Sequence, residues 1–347
     1  MKDMILQFVD QMTHEEKLEL QMALERAIAE EMVPEAAGEA DSCPRCGSPE
    51  FVKKGHGRRG EQRWLCRGCG RTFGPATGGL LAKSKLDAAA WREFARCMVD
   101  RVPLRDCAER CGTSLVTAWF MRHRMCEVMA SRLAAFRVEK GTSCQVDGTF
   151  LNENLSGNWG RSSTFEMPRE RHENGKGVKV RGISNLKVCV LCGATDLGDV
   201  FCELSNRGRA TGGDIERVLS GKIAEGSIVS TDKHKSYPRV LEGMGVAAHN
   251  RYDADGPAEG DINMVNALHS RLKEFLEPFH GVATRRLQHY LDWFCYREQF
   301  RKSDADKREV TFADAAAGKY QTSKREYALT PHPFMEHWGM GAMSTVV

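Results

Sequence analysis

The sequence contains no run of about 18 uncharged apolar residues, which is the length that a transmembrane helix needs. Its beginning, MKDMILQFVDQM, has an apolar patch, but Asp3 and Asp10 interrupt it and no small-residue cleavage site follows. We therefore expect neither a membrane span nor a secretion signal. Without export, disulfide bonds are not expected, so the thirteen cysteines point to metal ligands or free thiols in a reducing cytoplasm.

The net charge of +3 excludes little, but the charge is unevenly distributed along the chain. Residues 1–33 carry three Lys or Arg against eight Asp or Glu, whereas residues 41–75 carry eight against three. A basic segment of this kind is found in nucleic-acid-binding regions and equally in solvated loops. With 347 residues, of which 41% are hydrophobic, the chain is long enough for two or three domains with cores of their own.

The first 33 residues are predicted to form an N-terminal helix. Thr13 and Glu16 have the spacing of a capping box, so the helix should begin just after Thr13 and run to about Glu31. Pro34 and the small residues after it form a linker. The helix is either a peripheral cap or a docking and dimerisation element, and the sequence leaves both interpretations open.

Two C-x-x-C pairs follow, with nineteen residues between them. This spacing is typical of a zinc ribbon, in which four thiolates bind one structural Zn²⁺ and leave no open position for a substrate. We predict such a ribbon over residues 34–78, with two short paired strands between the cysteine pairs. The alternative is four unrelated reduced cysteines. The predicted zinc ligands are Cys43, Cys46, Cys66 and Cys69. Basic residues surround them and suit phosphate contacts with DNA, namely Lys53, Lys54, Arg58, Arg59, Arg63, Arg67 and Arg71.

Residues 79–135 have the pattern of a helix-turn-helix domain. One helix ends at Pro103, a short helix follows, a turn is expected at Gly112, and Thr113 or Ser114 should cap a further helix. Any small three-helix bundle has similar turns, so the segment is interpreted either as a DNA-binding domain or as a helical bundle without that function. The residues predicted to face a DNA groove are Ser114, Thr117 and Arg122.

Residues 136–302 show the element order of an α/β ribonuclease-H-like core: strand, hairpin, helix, strand, helix, strand and helix. The hairpin turn is predicted at residues 193–198. In such a core the first and fourth strands are adjacent, so Asp147 and Asp232 should converge. Paired carboxylates attract Mg²⁺ or Mn²⁺, and two such ions promote in-line displacement at a phosphodiester. No role is predicted for the tail, residues 303–347.

Three segments carry a family resemblance. They are VDGTF, STDKHKSYPRVL and INMVNALHSRLKEFLEPFHGVATRRLQHYLDWFCYRE. They resemble the catalytic blocks of the IS1595 family of bacterial and archaeal insertion-sequence transposases, whose members combine an N-terminal zinc ribbon with a DDE-type catalytic domain. The resemblance covers roughly residues 40 to 300, and the last segment is its most distinctive part.

The resemblance implies roles for four residues. Asp147, Asp232 and Asn266 would bind the catalytic Mg²⁺ or Mn²⁺, with Asn266 standing where DDE transposases carry their third acid. Lys273 would contact phosphate near the scissile bond.

Other interpretations of the third position remain open. Glu259 and Asp261 are rival third ligands, and Asn266 is alternatively a buried or capping amide away from any metal. For His269, three residues after Asn266, the sequence indicates a surface or core histidine.

The implied function is that of a DNA transposase. It would bind the terminal inverted repeats of an insertion sequence and catalyse metal-dependent strand cleavage and strand transfer. Its partners would be double-stranded DNA of the element ends and the target, and other copies of the chain on that DNA, in the nucleoid. The alternative is a DNA-binding regulator or a domesticated, catalytically silent descendant, which the uncharged Asn266 favours. A structure-specific nuclease is a third possibility.

Overall fold

The computed structural model describes residues 8–9, 11–33, 40–57, 60–82, 84–156, 187–252, 262–318, 320 and 322–334. The chain divides into two compact units. The first unit comprises Met1–Val128 and Asp306–Ser323, and the second comprises Met129–Ala305 and Lys324–Val347. Among the described residues, no helix has both the length and the hydropathy that crossing a bilayer requires.

Groups of helices and groups of strands follow one another along the chain. The helices are α1 (His14–Met32), α2 (Ala88–Val99), α3 (Leu104–Arg110), α4 (Leu115–Ser131), α5 (Gly212–Leu219), α6 (Tyr237–Gly243), α7 (Asn263–Leu276), α8 (Leu287–Gln299), α9 (Lys307–Ala317) and α10 (Lys324–Leu329). The strands are β1 (Phe51–His56), β2 (Gln62–Cys66), β3 (Thr72–Phe73), β4 (Ser143–Asn152), β5 (Lys187–Thr195), β6 (Val200–Arg207), β7 (Ile228–Asp232) and β8 (Ala248–Tyr252).

Ion pairs join the helices of the first unit. The predicted capping box at the start of α1 is present, because Thr13 and Glu16 each bond the other's backbone N–H. α1 and α9 both pack against α2. Arg92 of α2 makes two hydrogen bonds to Glu309 of α9, and the shorter measures 2.7 Å. A second pair joins α2 to Glu25 of α1.

The ribbon of the first unit is a small antiparallel sheet of β1, β2 and β3. The two predicted strands pair as expected, from Phe51 opposite Cys66 to His56 opposite Gln62. The third strand was not predicted. Trp64 stacks on Phe73 with ring centroids 5.5 Å apart, so an aromatic cluster forms a core beside the cysteines.

The short helix and turn before α4 lie where the sequence placed them, at Leu104–Arg110 and Gly112, which has φ of +57°. The Ser114 hydroxyl accepts the Thr117 N–H and caps α4. Arg122 departs from its prediction. Its side chain is buried and its guanidinium donates to the Val102 carbonyl at 2.7 Å, so the prediction that it faces DNA is wrong for this structure.

The second unit is built on a five-stranded mixed sheet with the order β6–β5–β4–β7–β8. The hairpin strands β5 and β6 run antiparallel to their neighbours, and β7 and β8 run parallel to β4. This order fits the ribonuclease-H-like core predicted from the sequence, including the adjacency of the first and fourth strands. β5 is buried along almost its whole length because it lies inside the sheet.

Helices cover both faces of this sheet. Cys144 and Val146 point into a core formed with α5 and α6. Because side chains alternate along a strand, Gln145 and Asp147 point to the opposite face, where α7 packs on β4 and β5. The face that carries Asp147 is therefore the face that α7 covers.

The hairpin turn is shorter than predicted. The strands end at Thr195 and resume at Val200, and Gly193 lies within β5, opposite Val146 and Phe201. A Cβ atom on Gly193 would overlap the Phe201 ring. Gly193 is therefore a close-packing position of a strand and not a turn residue.

Candidate active site and metal centres

The four ribbon cysteines converge in the first unit. Their sulfur atoms all lie within 4.8 Å of one another, with 3.8 Å between those of Cys43 and Cys69 and 3.5 Å between those of Cys46 and Cys66. A tetrahedral zinc ion with Zn–S bonds of about 2.3 Å separates its sulfur ligands by about 3.8 Å. The donor set and its spacing therefore fit one zinc ion.

Two glycines make the turns that bring the thiols together. Gly47 and Gly70 have φ of +70° and +67°, a region that residues with a Cβ rarely adopt. Their N–H groups donate to the carbonyls of Cys43 and Cys66. The Cys69 N–H, pointing at the Cys66 sulfur, helps to lower the pKa of the Cys66 thiol to about 7, which favours the thiolate that zinc binds.

Asp147 and Asp232 lie side by side at the centre of the second unit. β4 and β7 pair in parallel up to Val146 and Thr231, and each aspartate is the next residue of its strand. Neighbouring strands are about 4.8 Å apart, so the two side chains are neighbours on the same face of the sheet, where β7 ends. They line a small cleft of about 60 Å³.

The electrostatics of the pair favour a bound cation. Burial, and after it the negative charge of Asp232, raise the pKa of Asp147 to about 7, although the Gly148 backbone partly opposes the shift. Asp232 accepts the His234 N–H through Oδ1 at 3.0 Å, which fixes that carboxylate. Two mutually repelling carboxylates held in place form a site that a divalent cation with oxygen ligands would neutralise.

Further side chains of this cleft were not predicted from the sequence. Arg209 and Tyr237 line it together with the two aspartates. Tyr237 is buried, and burial together with the two carboxylates raises its pKa well above the usual value. No local pattern marks either residue, since both reach the cleft only through the packing of α5 and α6 on the sheet.

Gln145 fixes the start of α7 against the strand that carries Asp147. The first residues of a helix have free N–H groups, and Ile262 at the N-cap supplies no side-chain acceptor. The Gln145 Oε1 accepts the N–H groups of Met264 and Val265 at 2.9 and 3.2 Å. A side chain of the sheet thus caps the helix, two residues before Asp147.

His269 is the residue of α7 that approaches Asp147. Its Nδ1 lies 3.9 Å from the Asp147 Oδ2, and its side chain is buried. Burial, and after it the charge of Lys273, lower the pKa of His269 to about 4. The imidazole is therefore neutral at pH 7, and its Nε2 is buried without a hydrogen-bond partner.

Asn266 and Lys273 flank His269 by one turn of α7 on either side, and both are exposed. The order 266, 269, 273 keeps the three on one face of the helix, the face that reaches Asp147. The rival ligands Glu259 and Asp261 lie outside the described residues. That Asn266 and Lys273 act in catalysis stays a prediction.

The predicted DNA contacts are only partly described. Lys53 and Lys54 are exposed on β1, and Ser114 is exposed at the start of α4. Thr117 is partly buried, with its hydroxyl 3.0 Å from that of Ser114. Arg58 and Arg59 lie outside the described residues.

Two solved structures have a distant likeness to the chain. One is the intasome of simian T-cell lymphotropic virus with the PP2A regulatory subunit B56 gamma, at 11% identity and a TM-score of 0.29, covering 59% of this chain and 67% of that chain. The other is a pre-cleavage Mos1 transpososome, at 14% identity and a TM-score of 0.23, covering 65% and 78%. TM-scores of this size do not establish a common fold.

Sequence comparison is more specific. A protein of the transposable element ISH50 of Halobacterium salinarum is 25% identical over 269 residues, which are 75% of this chain and 86% of that protein. The family model of the ISXO2-like transposase domain matches residues 140–299, which include β4 to β8, α7 and α8. Residues 140–299 are therefore an ISXO2-like transposase domain.

Proposed function

We propose that this transposase cleaves and joins DNA strands at the ends of its insertion sequence, with Asp147 and Asp232 as the core of a divalent-metal site. The observation that carries the proposal is the convergence of the two carboxyl groups on adjacent parallel strands of a transposase-family domain. The raised pKa of Asp147 supports it, because such a carboxyl is stabilised as an anion only when a cation neutralises the pair.

Each residue of the site has its own proposed role. Asp147 and Asp232 hold the cations, and the Asn266 side-chain carbonyl serves as a third, uncharged ligand. Bound Mg²⁺ or Mn²⁺ would activate the attacking hydroxyl and stabilise the leaving oxygen. Lys273, exposed on the same helix face, contacts a phosphate as a point charge.

The first unit supplies DNA binding in this proposal. The zinc ribbon and the helices α2 to α4 hold the terminal repeats, with phosphate contacts giving affinity and a few base contacts giving specificity. Joining two ends of one element requires at least two copies of the chain on the DNA.

The test uses a donor plasmid that carries the chain's own gene with its flanking genomic sequence, a target plasmid, and Mg²⁺ or Mn²⁺. We expect joined products with the wild type and a loss of at least about a hundredfold in Asp147→Asn and Asp232→Asn, the scale seen when one charge-stabilising group is removed from an active site. Asp196→Asn is the control, because it makes the same change in the exposed β5–β6 turn.

Other outcomes of the same assay would select another function. Specific binding of the flanking DNA without cleavage under either metal would favour the regulator, an alternative supported by the uncharged, exposed Asn266. Nicking without joining would indicate a structure-specific nuclease. Activity that survives Asn266→Ala but not Asp147→Asn would move the third ligand elsewhere, with Glu259 the next to test.

A further inference from the structure

The first unit contains an open cleft of about 780 Å³ that Arg63 and Arg71 of the ribbon line, whereas Lys53, Lys54, Ser114 and Thr117 do not. Its walls come from the ribbon strands β2 and β3, the turn at residues 74–79, Arg124 of α4, and residues 320, 322 and 323. This volume is in the range of cavities that bind ligands. The side chains that line the cleft determine which class of ligand it can bind.

Arginines dominate the lining. Four guanidinium groups reach the cleft against one carboxylate, that of Glu61; the four belong to Arg45, Arg63, Arg71 and Arg124. Planar guanidinium groups suit phosphate oxygens, to which they donate two parallel hydrogen bonds. The cleft thus matches a polyanion.

Three of the cleft's arginines differ from other arginines of the first unit in their ion pairing. On the helices of the same unit, Arg92 and Arg96 pair with carboxylates. By contrast, Arg45, Arg63 and Arg71 form no ion pair with any described residue. Cations gathered in a concave site repel one another, so a bound anion would stabilise them.

Two of the arginines are held in position. Arg63 donates to the Thr72 hydroxyl at 3.1 Å across the ribbon. The Arg124 guanidinium lies over the rings of Phe120 and Tyr320, 4.6 and 4.7 Å from their centroids. Side chains that are already ordered lose less entropy when a ligand binds. In addition, the Nε of Arg45 is buried without a hydrogen-bond partner.

The turn that forms the floor of the cleft is built of small residues. Gly78 has φ of +81°, and the Gly74 N–H donates to the Thr77 hydroxyl at 2.8 Å, which closes the turn. Glycines allow a ligand's backbone to approach the protein chain closely.

We propose that this cleft binds the phosphodiester backbone of duplex DNA, with Arg63, Arg71 and Arg45 contacting phosphates. The inference rests on the proposed function insofar as DNA is the partner, and it narrows the basic residues of the ribbon to those of one cleft. Phosphates lie against β2, β3 and the glycine turn, and not on Lys53 and Lys54 of β1. These contacts are independent of base sequence and set the position of the DNA on the first unit.

The experiment measures binding of the zinc-loaded full chain to a fluorescently labelled duplex of random sequence by anisotropy, from about 50 to 200 mM salt. Each phosphate contact adds about 0.9 to the slope of log K against log salt, so the double variant Arg63→Ala/Arg71→Ala should flatten it by about 2. The control is Arg308→Ala, which removes an exposed arginine that pairs with Asp100 in the same unit. It should leave the slope unchanged.

Three further arms separate the explanations. Arg63→Lys/Arg71→Lys should keep most of the slope, and zinc content measured in every variant shows whether the ribbon is intact. An unchanged slope in the zinc-loaded alanine variant, with flattening in Lys53→Ala/Lys54→Ala, overturns the cleft while leaving DNA binding in place. A wild type that binds no duplex overturns the cleft and the DNA-binding part of the proposed function together.

Discussion

The partly buried Asp147 carboxyl makes the stability of the metal-free protein depend on pH. Burial and the charge of Asp232 raise its pKa from 3.8 to about 7. Between these values the folded carboxyl keeps its proton while the unfolded one has lost it. The stability that this group contributes is therefore complete below about pH 4 and is lost as the pH rises to 7.

The measurement is urea unfolding of the wild type and of Asp147→Asn, both free of metal, across this pH range. We expect the variant to gain stability relative to the wild type as the pH rises, by a few kcal/mol at most, since one pKa unit corresponds to about 1.4 kcal/mol. His269, with its lowered pKa, contributes the opposite slope in both proteins, so most of its effect cancels in the comparison. Parallel stability curves would show that Asp147 ionises normally.

Individual residues were predictable where spacing or strand position alone determines their location. The cysteine pairs and the two aspartates belong to this class, because a C-x-x-C turn and the position of a residue along a strand are local features. Arg122 and His269 are different. Which side of a helix meets the rest of the protein decides whether Arg122 bonds Val102 or faces solvent, and a single sequence does not specify that side.

At the scale of elements, the cap that Gln145 provides couples the central strand to α7. In Gln145→Ala the N–H groups of Met264 and Val265 lose their acceptor. We expect the free energy of unfolding to fall by about 1–3 kcal/mol, the cost of leaving buried donors unpaired. Hydrogen exchange should accelerate in the first turn of α7, and strand joining should weaken.

Gln21→Ala, an exposed position of α1, is the matched control for this prediction. It should leave exchange in α7 unchanged. If Gln145→Ala loses stability but keeps both slow exchange in the first turn of α7 and full joining activity, Gln145 supports the core and does not position the helix.

The elements themselves followed from sequence patterns more closely than their connections did. Alternating and continuous apolar runs predicted the strands of the second unit and their order. Gly193 was assigned to a turn because glycine usually marks one, whereas the Phe201 ring takes the space of its missing side chain. α9 was not predicted from the sequence; its buried face consists mainly of small residues, and α2 and the Arg92–Glu309 pair hold it in place.

At the scale of the whole molecule, we expect zinc removal to unfold the ribbon and spare the five-stranded sheet. Structural zinc contributes about 10–16 kcal/mol in small zinc-binding peptides, and the ribbon's own core is only a few aromatic side chains. The sheet has a separate core in the second unit. Hydrogen exchange after chelation should rise over residues 43–73 and stay slow in β5. Equal loss of protection in β5 would show that the two units unfold together.

The order of the units along the chain was outside what sequence patterns indicate. The sequence predicts no role for residues 303–347, yet Asp306–Ser323 belongs to the first unit and α10 to the second. Local periodicity predicts each helix or strand separately. It does not show that the chain, after forming the sheet of the second unit, continues with a segment that belongs to the first unit. That return is visible only in tertiary contacts such as Tyr320 N–H to the Gly78 carbonyl.

This return has a consequence for the protein as it emerges from the ribosome. Arg92 is buried, and its partner Glu309 is synthesised 217 residues later. A buried charge without its partner is costly. The strands of the second unit are complete well before then. During synthesis the five-stranded sheet can therefore form before the first unit, which begins the chain, is complete. A chain truncated before Asp306 would contain every strand of the five-stranded sheet but would lack α9 of the first unit.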